Sequence, residues 1–280
     1  MQLIVTQTTA AVPGNTLLRD CRDNPVPANT GVGRSWSPPT KGKVMTTSLD
    51  SPACSRRLTL DGGTTAALAG AAVTFNLGGA LHPNDGGTGN KVAQLHHMLL
   101  QSSWYPSHLG LLASFGLFTV AFLRLPGRLE LAPVTRRIVR VMAVVSALTT
   151  AAMVPHLLAP LGADSIADGQ SSALSVFMTI DETLADAPWA LGIALLALVA
   201  GVTGNLGNRL TAVLGTVGGA SFAAAAVTIP FTDALDGLFA VGGMGVTLWV
   251  LSVVAVGAWR RRQPNLPRVQ PEDGITGPTQ

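Results

Sequence analysis

The sequence predicts an all-α polytopic membrane protein: a bundle of six transmembrane helices with two short amphipathic helices on its outer face. Three observations carry this. Six long apolar stretches lie between Thr64 and Trp259. Only 12% of the residues are charged, against about a quarter in a typical soluble domain, and the mean hydropathy is +0.40. The charges between the stretches also sort by sign onto alternate sides. All Lys and Arg except Lys91 fall on one side; Asp85, Asp164, Asp168, Asp181, Glu182, Asp186, Asp233 and Asp236 fall on the other. Basic residues near span ends are retained on the cytoplasmic face. Both termini are therefore expected in the cytoplasm, with the bundle in a bacterial inner (cytoplasmic) membrane. The basic side faces anionic lipid headgroups, so the lipid bilayer is the expected partner and no nucleic acid is needed to explain the charge.

Residues 1–60 are polar and rich in Pro, Gly, Thr and Asn, with no apolar face to bury, and read as a disordered cytoplasmic tail. The opening Met1-Gln-Leu-Ile-Val lacks the basic and apolar regions of a signal peptide. Met45 starts a plausible shorter chain, so residues 1–44 can be read as an over-long gene start. Cys21 and Cys54 then sit in a reducing compartment as free thiols, and neither has a Cys or His partner at zinc spacing. Residues 61–262 form the transmembrane domain, and the Pro-rich, polar residues 263–280 form a second disordered cytoplasmic tail.

A spanning helix needs about 20 mostly apolar residues, which places spans near 64–81, 107–124, 138–160, 187–205, 210–231 and 236–259. The first is the least apolar, being mostly Ala and Gly with Asn76 inside it. Trp104, Tyr105 and Trp189 are expected at the outer interface and Trp259 at the inner one. Two outer loops carry helical periodicity. In one, Val92, Leu95, His96 and Leu99 oppose Gln94, His97 and Gln101; in the other, Ala173, Phe177, Ile180 and Leu184 oppose Ser172, Ser175, Thr179, Glu182 and Asp186. Both read as surface helices whose apolar stripe faces the membrane or caps the bundle. The short turn Asn205–Arg209 makes its flanking helices antiparallel neighbours. Close helix contacts are signposted by Gly110 with Ser114, Gly215 with Gly219, and the Gly242, Gly243 and Gly245 cluster. The two halves show no repeat of the kind found in inverted-repeat transporters.

All five histidines fall on the outer side. His82 ends the first span, His108 opens the second, and His156 lies near the outer end of the third, so three imidazoles share one depth on consecutive helices. Neutral imidazole is the commonest ligand for zinc and copper, and three ligands with an open position suit a catalytic zinc. His96 adds a possible fourth from its surface helix, whereas His97 points to the polar side. Asp85, Asp181, Glu182, Asp233 and Asp236 could orient the rings or act as base. Against this stands a bland alternative, that helix-end histidines cap carbonyls or sit among headgroups. Haem needs a facing pair with room for the macrocycle, and nothing in the spacing fixes one.

Pro155 should kink the third span by freeing the carbonyl of Ala151. Asn76 should face the bundle and bond a neighbour, and Asp233 and Asp236 should cap the sixth helix. No acid is expected at the bilayer midplane, which disfavours a proton-coupled pump. Neither a His-Glu-x-x-His motif, a serine elbow nor a cysteine pair is present.

Leu81-His-Pro-Asn-Asp85, followed by Trp104-Tyr-Pro-Ser-His108-Leu-Gly, resembles multi-span integral membrane proteins of unknown activity common in actinobacteria. The resemblance covers roughly the first two spans, implies an integral membrane protein and transfers no catalytic residue. Three functions stay open: a non-enzymatic protein binding a metal or small ligand at the outer face, a membrane zinc-dependent hydrolase, and a structural subunit docking a membrane partner or a second copy of itself.

Overall fold

The structure is a computed structural model that describes residues 60–84, 90–129 and 131–262. Apart from Leu60, which is buried in the core, the expected tails, both cysteines, the Met45 start and Asp85 lie outside the described residues. The described chain is helical, without strands. Its elements are α1 (Gly62–Ala80), α2 (Lys91–Leu99), α3 (Trp104–Arg128), α4 (Pro133–Leu157), a 3-10 turn (Ala159–Gly162), α5 (Ala163–Ala167), α6 (Ala173–Asp181), a π-helical segment (Glu182–Asp186), α7 (Ala187–Val202), α8 (Arg209–Thr228) and α9 (Gly237–Arg262). Five helices among the described residues are long and apolar enough to cross a membrane: 104–127, 133–157, 173–202, 209–228 and 237–259. Many of their large apolar side chains face outward, including Leu123, Val144, Leu148, Leu191 and Val202. A soluble monomer rarely exposes so continuous an apolar surface; the pattern fits an integral membrane protein. Helix α1, with its Ala, Gly and Asn76, falls short of the other five in apolarity.

Six helices close a ring, with α1 on α3, α3 on α4, α4 on α7, α7 on α8, α8 on α9, and α9 back on α1. Small residues make the closure possible. A Cβ at Gly218 of α8 would lie 2.5 Å from the Val246 backbone nitrogen, and one at Gly245 of α9 would lie 2.6 Å from the Gly218 Cα. Gly110 of α3 meets Gly78 of α1 in the same way, where Ser107 and Ser114 Oγ donate to the Gly78 and Ala71 carbonyls at 2.8 and 2.9 Å. The small-residue contacts expected at Gly110, Ser114, Gly215, Gly219, Gly242 and Gly245 are all present; at Gly243 a Cβ would meet only Phe75 Cε1, at 3.9 Å.

The centre of the ring is filled by Trp189 of α7. It is fully buried against Phe75, Phe115, Phe118 and Phe222, with Nε1 donating to Ser146 Oγ at 3.0 Å. Trp189 is thus a core anchor and not an interfacial aromatic, and Trp104, 1% exposed, is buried as well. Tyr105 and Trp259 stay exposed as expected.

One end of the ring is tied by basic residues. Arg124 pairs with Asp61 at 3.3 Å, and Arg261 donates to Thr65 Oγ1 at 2.6 Å. Asp61 also caps α1, accepting from the Thr64 N–H at 2.8 Å. That backbone bond, with the Thr64 hydroxyl and Arg124 assisting, holds its carboxyl down at about 2. At this same end the α7–α8 turn closes through Gly204 and Gly207, whose φ values of 67° and 90° suit only glycine. The opposite end, which carries the histidines, opens into a cavity.

Two sequence expectations are overturned here. The stretch around 173–186 is not a separate surface helix: through its π segment it continues into α7 as one helix of 30 residues. The predicted amphipathic face of this stretch is also reversed: Phe177, Ile180 and Leu184 are exposed, while Met178 and Asp181 are buried. In α2 the predicted face holds in part, with Leu99 buried, Leu95 packed beside it and His97 exposed, but Val92 is exposed and Gln94 buried. In lipid the apolar face of a helix turns outward, because only the bundle interior can satisfy polar groups.

Candidate functional site

The cavity at the histidine end has a volume of about 680 Å³, within the range of small-molecule sites. Its position follows from the packing of α1 on α3. Because Gly78 and Gly110 let the two backbones touch, His82, two residues past the end of α1, arrives beside His108 with ring centroids 5.0 Å apart. His156, in the last turn of α4 just after Pro155, brings its ring to 5.0 Å from His108. Trp104 stacks on the His108 ring at 3.8 Å and donates its indole N–H to the Leu157 carbonyl at 3.1 Å, joining the start of α3 to the end of α4.

The three rings share one hydrogen-bonding pattern. His82 Nδ1 lies 3.0 Å from the Pro83 carbonyl, His108 Nδ1 2.7 Å from the Trp104 carbonyl, and His156 Nδ1 2.8 Å from Asp181 Oδ2. A carbonyl or carboxylate oxygen can only accept, so Nδ1 carries the proton in each ring. In the neutral ring Nε2 is then a bare lone pair. His108 Nε2 is buried without a partner among the described residues, and all three rings line the cavity. His82 opens part of its surface to the cavity, yet surrounding protein disfavours its charged form. Desolvation, and then the neighbouring His156, lower its pKa to about 4.

Acids complete the polar wall. Asp181 is buried behind His156, and Glu182 and Asp186 line the cavity from the π segment. A π turn inserts an extra residue into the helical repeat and recurs at functional sites; here it turns two carboxyls toward the same space. Asp181 Oδ1, Asp186 Oδ1 and Gln94 Oε1 are buried without a hydrogen-bond partner among the described residues. The expectation that acids stay in the outer loops therefore fails for Asp181 and Asp186. Apolar side chains, among them Phe75, Leu111, Met153, Phe222 and Phe239, line the rest of the cavity.

The remaining expected residues are placed as follows. His96 does not join the trio: it is half-buried on α2 and absent from the cavity wall, where Lys91, Gln94, Leu95 and Met98 stand instead. His97 is exposed, as expected. Asp233 pairs with Lys91. Asp236, directly before α9, lines the cavity. Asn76 faces the cavity and bonds no helix neighbour. Among the described residues, no group of three or more His, Cys, Asp or Glu is spaced to hold a metal ion. The buried acids had a signal in the sequence. Extending the buried stripe Ile193–Trp189 backward by three and then four residues reaches Asp186, Glu182 and Met178.

Comparison with protein-family models, with curated proteins and with solved structures finds no match to this chain.

Proposed function

We propose that the chain is an integral membrane protein of six spanning helices that binds a small ligand in the histidine-lined cavity at the outer end of the bundle. The observation that carries this is the set of three imidazoles whose Nδ1 atoms are tethered while Nε2 is left for a ligand, beside about 680 Å³ of space. Helix α1 counts as the sixth span because it completes the ring between α3 and α9. The charge asymmetry orients the basic end to the cytoplasm of a bacterial inner membrane, with both termini on that side. Reporter fusions after Arg128 and Arg262 should read cytoplasmic and one after Asp168 exterior; an exterior signal at Arg128 defeats the orientation. A second reading, a metal ion such as zinc or copper on His82, His108 and His156, draws support from the tethered Nδ1 atoms. Metal-ligating histidines are held in this way. It requires the rings to close beyond their present spacing, and with Glu182 as base it becomes a zinc hydrolase. Titrating purified protein with Zn²⁺ decides it. Near-stoichiometric binding that is lost in His108→Ala and kept in His97→Ala supports a metal; no binding leaves the organic ligand.

A further inference from the structure

We infer that the cavity ligand is an organic cation, an ammonium group on an apolar body. The inference rests on the reading of the cavity as a ligand site and names its chemical class.

The polar wall is rich in acceptors, with the Asn76 amide as a neutral donor beside them. His108 is 1% and Asp186 8% exposed, and each has a polar atom without a partner among the described residues, Nε2 in one and Oδ1 in the other. In the neutral imidazole that Nε2 can only accept, because its Nδ1 proton is committed to the Trp104 carbonyl. Glu182 adds a second cavity carboxyl one turn from Asp186. The cationic side chain at this wall, Lys91, is already paired with Asp233. An unsatisfied buried acceptor costs about 1–3 kcal/mol, and a ligand that donates N–H groups and carries positive charge relieves that cost. A carboxylate or phosphate would face the acids Glu182, Asp186 and Asp236 and the bare lone pair of His108.

Size and the apolar wall set the rest. A water occupies about 30 Å³, so a bare ion would leave most of the 680 Å³ empty. Phe75, Phe222 and Phe239 also line the cavity, with Phe222 and Phe239 edge-to-face at 5.1 Å. Such a wall receives an aryl or alkyl body, and aromatic faces also attract a cation.

The test uses full-length protein in detergent and three isosteric probes: 4-phenylbutylamine, 4-phenylbutanol and 4-phenylbutyrate. Binding is read by calorimetry and by thermal stabilisation. The amine should bind at least tenfold more tightly than either isostere. Asp186→Asn and, separately, the half-buried Glu182→Gln should each weaken it tenfold or more without lowering the melting temperature of the free protein. Equal binding of the alcohol, blocked by filling the cavity with Ala226→Trp, overturns the cationic class and leaves the cavity a ligand site. Undiminished amine binding in both acid variants also overturns the inference. So does failure of all three probes, and the Zn²⁺ titration then judges the histidines separately.

Discussion

The two ends of the ring are built from the same six helices and behave as opposites. Toward the arginine end and through the middle, glycine and alanine bring backbones into contact, and one tryptophan with its phenylalanine neighbours fills what space remains. At the histidine end α1 and α3 still touch, but a cavity opens beside them, and acids and imidazoles stand where a packed core would have aliphatic side chains. Buried polar groups without partners cost stability, so the difference separates the part of the molecule that maintains the fold from the part available to a ligand.

Substitutions should divide along this line. The largest effect is expected from Trp189→Ala, which empties the ring centre and should cost about 3–5 kcal/mol, read as lost thermal stability in detergent. Phe239→Ala, in the cavity wall, should cost a fraction of that, and equal losses would erase the distinction. Gly218→Leu comes next, at about 1–3 kcal/mol or more, because its side chain would meet the α9 backbone and not a flexible neighbour. Asp186→Leu should act in the opposite direction, raising stability by about 1 kcal/mol as an unpartnered buried acid is replaced by an apolar group, while removing amine binding. A destabilised Asp186→Leu would mean that the acid has a structural partner.

The smallest effect concerns pH at the arginine end. The Asp61 carboxyl is held at about 2, below its ordinary 3.8. A depressed pKa means that the folded state releases this proton more readily than the unfolded one. Its stabilisation is therefore complete above about pH 4 and is lost as the pH falls through 2. Asp61→Asn keeps a capping side chain and should flatten the melting temperature across that interval relative to the parent.

The legible parts of the fold were those governed by single-helix rules. Span length and the small-residue spacings at Gly110, Gly215 and Gly242 are local signals, and the chain follows them in five of the six expected spans. Trp189 and Trp104 misled because an aromatic near a span end reads as interfacial until its neighbours are known. The site was half legible. His82, His108 and His156 share a depth, which sequence can give, and the structure brings them together. Asp181 and Asp186 were placed in a loop, because the stripe of Phe177, Ile180 and Leu184 was read as facing the bundle when it faces outward. The polarity of an amphipathic helix reverses between water and lipid, and periodicity alone does not say which solvent applies.

The account stands most directly on whether the histidine end is open while the middle is closed. With Cys21 and Cys54 changed to Ser, Asn76→Cys on the cavity wall and Ala197→Cys in the packed region can each be exposed to a membrane-impermeant maleimide in right-side-out vesicles. Asn76→Cys should label rapidly, and 4-phenylbutylamine should slow it; Ala197→Cys should stay unlabelled. An inert Asn76→Cys, or equal labelling of both, would contradict the account.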